Sequence, residues 1–448
     1  MKTGLWAMVA AVGVAVGTAG AQTPIPPKKD KDKDKPKSTA PASGQQPGRP
    51  NAPSVPVMER DSPQYWTLTV TVNVRAYTDF DPKTNMPNRK EFDFTSAAVV
   101  FPMITDTASS TTNPVGLGGT LSVNDRVIDE KPVFLAADYP AGTRLGKWTL
   151  KDWKGEEVQL QVTIPATCYK TEFNEEAAQK LAWPETWPAL AQSCFKPQLF
   201  IDMMPGQDGT AAAVDMQGVK DLVSRWCNGK DPKSIPPATL AKFLCGEVVK
   251  FVQVSGGGLN SASTAEIEGF NLQGAAETAR SGRGNEYDMV CLLAAVYRAA
   301  GLPCRTVIGF DVGEEKRDRQ VFNKNNGTRG PRAWVEVALA DPNAPGGVWW
   351  VPVDPVRLRK SSSRPPPLDR PWKYFGTNEE LWGVIPIAFQ FHPPTTVVAH
   401  GSPALWGWLV TPAPPSRVIQ TVRFLSKSTP QTAEEQKKRQ EQQRNNNR

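Results

Sequence analysis

Three short runs hold the charged residues whose types and spacing could form a reactive site. The first reads GNEYDMVCLLAAVYRAAGLPCRTVIGFD from Gly284, the second is RAWVEVAL from Arg332, and the third is WWVPVDPV from Trp349. Apolar spacing predicts a helix that begins at Glu286, and the other two runs predict strands. Asp354 follows the last strand and precedes a proline. Two carboxylates and a guanidinium suit an ion pair better than a nucleophile and base, because an arginine stays protonated at accessible pH.

In this order the three runs resemble the core of the transglutaminase-like superfamily, papain-like enzymes that use a Cys, a His and an Asp for acyl transfer or amide cleavage. In that family the Cys opens the helix leading into a G-[IL]-P-x-R turn, the His begins an H-A-W-x-E run, and the Asp precedes the Pro of a W-x-x-x-D-P run. Counting back from the GLPCR turn at Gly301, the resemblance places Glu286 at the nucleophile position. Arg332 stands at the His position, and only Asp354 matches.

A shifted alignment does not restore the missing pair. The span from 280 to 290 contains no Cys, and Cys291 would project about 140° around the helix from Glu286. The chain has two His, His392 and His400, both far downstream in a Pro-rich segment. A Cys or Ser nucleophile needs a neighbouring base. The resemblance therefore implies the scaffold of the family without its standard chemistry.

The three aligned positions predict a structural contact in place of a catalytic relay. We expect Glu286 within salt-bridge reach of Arg332, with Asp354 holding the guanidinium from its other side. The alternative is that Glu286 is a solvent-exposed residue at the helix start and Arg332 an ordinary strand charge.

A different enzyme class is also compatible with the acidic residues. Glu286, Asp288, Glu336 and Asp354 could converge as the paired carboxylates of a glycosidase, although nothing in their spacing selects a pair. Two His and no C-x-x-C leave no recognisable metal-ligand set, and we expect no cofactor.

The two ends of the chain have the composition of an exported protein. Residues 1–21 combine Lys2, a short apolar run and a small-x-small cleavage pattern, which predicts a signal peptide and a secreted or periplasmic protein. Residues 22–62, rich in Pro, Lys and Asp, and residues 426–448 predict a disordered linker and a disordered polar tail. These ends account for the net charge of +7. We therefore expect no nucleic-acid partner and, after cleavage, no membrane insertion.

The rest of the chain predicts an α+β protein. Period-two alternation from Trp66 onward indicates a strand, and its recurrence near Val158 predicts an N-terminal antiparallel β-sandwich over 63–200 with a connecting segment. Helical spacing follows, and a transglutaminase-like (papain-like) helix-on-sheet core with a Trp/Pro-rich C-terminal extension is predicted over 201–425.

Six cysteines in an exported chain permit three disulfides. The local pairings would join Cys168 to Cys194 and Cys227 to Cys245, whereas Cys291 and Cys304 suit buried apolar roles. A core role is favoured for the tryptophans of the last third, which are Trp349, Trp350, Trp372, Trp382, Trp406 and Trp408. Of these, Trp382, Trp406 and Trp408 lie among prolines and could instead line a groove for an extended polypeptide or glycan.

Together these features predict a secreted, catalytically inactive member that binds a polypeptide or cell-envelope polymer in the inherited cleft. The alternative is an active hydrolase or acyl transferase, either protease-like or a carboxylate-based glycosidase, that uses an unrecognised set of residues.

Overall fold

The structure is a computed structural model that describes eleven stretches of the chain. They are residues 55–84, 87–104, 106–128, 131–135, 139–206, 211–312, 319–322, 330–362, 364–393, 403–412 and 417–429. The predicted signal peptide and most of the predicted linker and tail lie outside these stretches. So does His400.

Seven α-helices occur in the described stretches. They are α1 (Glu175–Gln179), α2 (Ala189–Ser193), α3 (Gln217–Trp226), α4 (Pro237–Phe251), α5 (Ala275–Ser281), α6 (Glu286–Ala299) and α7 (Pro355–Ser361). Within the same stretches, no helix is both long and apolar enough to cross a membrane.

The strands of the described stretches are short except for β1, β3, β9, β10, β19 and β23. In chain order they are β1 (Met58–Phe80), β2 (Pro87–Lys90), β3 (Phe92–Pro102), β4 (Asp106–Thr107), β5 (Ser110–Thr112), β6 (Gly118–Val123), β7 (Arg126–Ile128), β8 (Val133–Leu135), β9 (Leu145–Gly155), β10 (Glu157–Phe173), β11 (Met203–Pro205), β12 (Ala211–Ala213), β13 (Gln253–Val254), β14 (Leu259–Ser261), β15 (Ile267–Phe270), β16 (Arg283–Gly284), β17 (Cys304–Asp311), β18 (Arg319–Val321), β19 (Gly330–Ala340), β20 (Val348–Val353), β21 (Val384–Ala388), β22 (Gly407–Thr411) and β23 (Arg417–Ser428).

The predicted β-sandwich is present. One sheet has the strand order β14-β15-β23-β1-β10-β5-β4, and the other has the order β22-β3-β9-β8. Leu68, Val70 and Val72 of β1 are buried, while the residues between them are partly exposed or polar. They belong to the same apolar cluster as Phe94 and Trp148 of the second sheet, so the period-two pattern turns each alternate side chain of β1 toward the protein core.

The C-terminal strands complete this sandwich. β23 pairs with β1 and β22 pairs with β3, although both strands belong to segments predicted as the extension of the second domain and as the tail. The prediction of disorder over 22–62 and 426–448 is therefore wrong at its inner boundaries, because β1 begins at Met58 and β23 continues to Ser428. At both boundaries the sheet ladder supplies backbone hydrogen bonds that a local reading of composition does not anticipate.

The second part of the fold is a helix packed on a sheet. The antiparallel sheet has the order β20-β19-β17-β21, and α6 packs against β17 and β19. All residues of α6 from Tyr287 to Tyr297 are buried, because α3, α4 and α5 surround the helix on its other sides. Gly301, with a φ of 84°, ends the helix as the GLPCR turn predicts. The predicted α+β class is confirmed.

The predicted disulfides do not form. All six cysteines are free and buried. Cys168 and Cys194 lie in different apolar clusters, so closeness in sequence does not bring the thiols together. Burial raises the pKa of the Cys194 thiol to about 12. The apolar roles predicted for Cys291 and Cys304 are confirmed.

The core role favoured for the tryptophans is confirmed for three of them. Trp372, Trp406 and Trp408 are buried, and the rings of Trp406 and Trp408 stack with centroids 6.3 Å apart. Trp349, Trp350 and Trp382 are partly exposed.

Candidate functional site

The start of α6 is fixed by a capping box. The Asn285 side chain accepts hydrogen bonds from the peptide N–H groups of Tyr287 and Asp288, and the Asp288 carboxylate accepts one from the Asn285 N–H. The Tyr287 hydroxyl donates to the carbonyl oxygen of Pro331 at 2.8 Å. This last bond ties the helix start to the strand residue that precedes Arg332.

Arg332 lies on β19 and is 8% exposed. Its Nε and Nη2 atoms donate to Oδ2 of Asp354 at 2.9 and 2.7 Å, and its Nη1 lies 3.3 Å from Asp311 and 3.1 Å from Glu380. Burial acts to lower the pKa of the guanidinium, but attraction to Asp354 and Asp311 outweighs it, so the pKa is raised. Arg332 is thus a permanent cation among three carboxylates.

Sheet register accounts for one of these partners. Gly309 pairs with Arg332 and Asp311 pairs with Gly330, so Asp311 and Arg332 are diagonal neighbours on one face of the sheet. Asp311 was not identified from sequence, because the strand register that brings it beside Arg332 is set by the pairing of β17 with β19.

Asp354 is held from two directions. It is the N-cap of α7, where its Oδ1 accepts the peptide N–H of Arg357 at 2.8 Å while Oδ2 faces Arg332. Its own N–H donates to the carbonyl oxygen of Tyr374. The D-P pair therefore starts a helix and orients a carboxylate at the same time.

Arg357 is a second cation that joins this network of ion pairs. Arg357 lies 3.1 Å from Asp311 and 3.0 Å from Glu380. The Tyr374 hydroxyl donates to Glu380, and burial together with this hydrogen bond raises the pKa of Tyr374 to about 12. Neither Arg357 nor Glu380 was identified from sequence, and for Glu380 no local signal exists.

Glu286 does not contact Arg332 as predicted. Its Oε2 lies 3.0 Å from Nζ of Lys360 on α7, and both side chains are partly exposed, 36% for Glu286 and 59% for Lys360. Arg332 instead has its carboxylate partners on β17, at the start of α7 and near residue 380. The predicted contact between Arg332 and Asp354 is confirmed, whereas the one between Glu286 and Arg332 is wrong, because the carboxylate points to the helix that follows Asp354.

All three aligned positions nevertheless line one pocket, with a cavity volume of about 180 Å³. Its charged lining residues are Glu286, Asp311, Arg332, Asp354, Arg357 and Lys360, and its other lining residues are Tyr287, Pro331, Ala333 and Val356. Three cations and three carboxylates thus face one small space.

Two further carboxylates of the glycosidase alternative point elsewhere. Asp288 accepts hydrogen bonds from the N–H groups of Asn285, Gln273 and Gly274, and Glu336 is fully buried against Arg305. The four acidic residues therefore do not converge, and only Glu286 and Asp354 reach the pocket. In the part of the chain that the structure describes, no group of three or more His, Cys, Asp or Glu residues could hold a metal ion.

Part of the chain matches a known protein family. Residues 259–355 match the family model of the transglutaminase-like superfamily. None of the curated proteins matches the chain. Among solved structures, the chain is similar to a candidate cysteine protease from Cytophaga hutchinsonii, with 11% identity, coverage of 84% of this chain and 94% of that chain, and a TM-score of 0.47. It is also similar to a candidate protease from Parabacteroides distasonis, with 10% identity, coverage of 83% and 86%, and a TM-score of 0.19.

Both TM-scores lie below 0.5, so the resemblance to the family rests on the sequence match over residues 259–355. The matched segment contains α6, β17, β19 and β20, and it includes Glu286, Arg332 and Asp354. The match to the transglutaminase-like superfamily therefore covers residues 259–355.

Proposed function

We propose that this protein is an exported, non-catalytic member of the family that binds a polypeptide or cell-envelope polymer in the pocket between α6, β19 and α7. The observation that carries this proposal is the state of Arg332. It occupies the position at which the family has its His, and it is buried, protonated and bound to Asp354, Asp311 and Glu380. A guanidinium in this state cannot accept a proton from a nucleophile.

The nucleophile position supports the same conclusion. Glu286 lies at the start of α6 and is paired with Lys360, and a carboxylate is a poor nucleophile toward amides. The nearest thiol along the helix belongs to Cys291, whose pKa is raised well above its usual value by burial. A protonated, buried thiol does not attack a substrate.

The pocket itself supports binding. Its charged groups are held by a buried network and are partly accessible, which favours recognition of polar groups by a preorganised site. Its volume of about 180 Å³ suits one residue of a polymer rather than a long segment.

Loss of catalysis is tested with the purified mature protein in assays of amine incorporation and peptide hydrolysis. We expect no turnover above a buffer blank. Turnover that disappears in Glu286→Gln would overturn the non-catalytic assignment and favour the hydrolase or acyl transferase alternative.

Binding is tested by co-sedimentation with insoluble peptidoglycan and by retention on gelatin beads. We expect one of the two polymers to retain the protein and Lys360→Glu to weaken retention at least tenfold, because the change reverses a charge that lines the pocket. The matched control is Lys154→Glu, which reverses an exposed lysine paired with Asp93 on the sandwich. Equal retention of both variants, or none of the wild type, would contradict the proposal.

Export is tested by expressing the full chain in a bacterial host and sequencing the N-terminus of the mature protein. We expect a chain that begins at Gln22 in the periplasm or medium. Recovery of the uncleaved chain from the cytoplasm would contradict export.

A further inference from the structure

We propose that the pocket binds an α-amino-acid head group, meaning an ammonium and a carboxylate on one carbon atom. This inference rests on the proposed binding function and names the chemistry that the pocket recognises.

The pair at the pocket rim has matching geometry. Oε2 of Glu286 and Nζ of Lys360 are 3.0 Å apart, on two different helices, and both side chains are partly exposed. An exposed ion pair of this kind is weak in water, so a ligand can replace it at small cost. The ammonium and carboxylate of an α-amino acid are separated by a similar distance. Its ammonium can therefore take the place of Lys360 against Glu286 while its carboxylate binds Lys360.

The charges of the pocket select such a ligand over a simple ion. Three cations and three carboxylates line the space. A simple anion would meet the carboxylates of Asp311 and Asp354, and a simple cation would meet Arg332 and Arg357. A head group that carries both charges can face the cations of the pocket with its carboxylate and the carboxylates of the pocket with its ammonium.

The deeper charges cannot rearrange to accept a single extra ion. Arg357 is engaged by Asp311 and Glu380, and Arg332 by Asp354. Of the ion pairs that line the pocket, the one between Glu286 and Lys360 is therefore the easiest for a ligand to replace. The carboxylates of these deeper ion pairs are also well buried, with Asp354 and Asp311 at 1% and 4% side-chain exposure. The ligand therefore binds at Glu286 and Lys360 and leaves the network below intact.

The size of the pocket limits the ligand. A volume of about 180 Å³ is close to a cavity that accepts a benzene-sized molecule and smaller than a site for a drug-sized one. A head group and the first few carbons of its side chain fit, with Tyr287 and Val356 as the apolar part of the lining. Two sources have this chemistry: a free amino acid, and a polymer residue that is attached through its side chain and keeps a free α-centre.

Calorimetric titration with Nε-acetyl-lysine tests the inference, because this probe keeps the α-centre free and has a neutral side chain. We expect saturable binding that falls at least about tenfold when the α-ammonium is acetylated, and as much when the carboxylate is converted to an amide. Unmodified lysine is the second arm. Tighter binding of Nε-acetyl-lysine supports a polymer residue, and tighter binding of lysine supports a free amino acid.

Two variants assign the two contacts. In Glu286→Gln, acetylating the α-ammonium should no longer weaken binding, and in Lys360→Gln, converting the carboxylate to an amide should no longer weaken it. Both residues are at the surface, so both variants should fold, which circular dichroism checks. Absence of Nε-acetyl-lysine binding, or equal binding of the blocked and unblocked probes, overturns the inference. If a polymer still binds and Lys360→Glu still weakens it, the proposed function stands without the head group.

Discussion

Arg332 and Asp354 form a buried ion pair, and breaking it should lower the free energy of unfolding. In Arg332→Met the side chain keeps much of its volume and loses its charge. Asp311 and Glu380 retain Arg357 at 3.1 and 3.0 Å, but Asp354 loses two hydrogen bonds of 2.9 and 2.7 Å at 1% side-chain exposure. Removing one member of a buried ion pair costs about 3–5 kcal/mol. We expect a loss of that size in the free energy of unfolding.

A double-mutant cycle separates this pair from other effects of the substitution. Asp354→Asn keeps an oxygen for the N–H of Arg357 at the start of α7, so it breaks the ion pair while retaining the helix cap. Arg332 keeps Asp311 and Glu380 as partners in this variant, so it should cost less than Arg332→Met, about 1–3 kcal/mol. The double variant leaves no unpaired charge at this contact, and its cost should fall short of the sum of the two single costs by about 1 kcal/mol or more.

Equilibrium unfolding in urea, followed by the fluorescence of the 14 tryptophans, measures these losses. The matched control is Arg423→Met, which removes an arginine that is 54% exposed and paired with Glu266. Its cost should be below about 1 kcal/mol. The reasoning is refuted if Arg332→Met costs no more than this control, or if the double variant costs the full sum.

Three further predictions follow from other parts of the fold. Arg305 is paired with the fully buried Glu336 and lies between the rings of Trp350 and Phe389. Because lysine lacks the planar guanidinium, Arg305→Lys should lower the free energy of unfolding in urea by about 2 kcal/mol or more, and an unchanged midpoint would contradict this. The six buried thiols should react with Ellman's reagent in guanidinium chloride but not in the native protein, and fast native reaction would refute the described burial. Burial lowers the pKa of His392 in the folded protein. As the pH drops below about 6.5, the unfolded chain therefore takes up a proton at this residue before the folded protein does, and the free energy of unfolding should fall. In His392→Gln that part of the acid loss should disappear, and an NMR titration of the imidazole in the wild type should give a pKa below that of the unfolded chain.

Much of the fold could be predicted because its signals are local. Alternation along β1, the apolar α6 and the GLPCR turn each depend on neighbours in sequence, and the structure confirms them. The pairing of β22 and β23 with the first strands could not be predicted, since it joins residues more than 300 positions apart and no pattern within either strand names its partner. The same limit applies to the disulfides, which depend on where two thiols lie in space.

The candidate site divides along the same line. The sequence by itself determined that the three aligned positions hold Glu286, Arg332 and Asp354, with no Cys or His among them, and that a helix and a strand present Glu286 and Arg332. Only the tertiary structure decided the partners of these charges. Glu286 reaches Lys360 because α7 packs beside α6, and Arg332 reaches Glu380 because the chain folds back near residue 380. A charged side chain pairs with whatever carboxylate or cation the fold brings within about 4 Å, and that distance is set by packing of remote elements rather than by spacing along the chain.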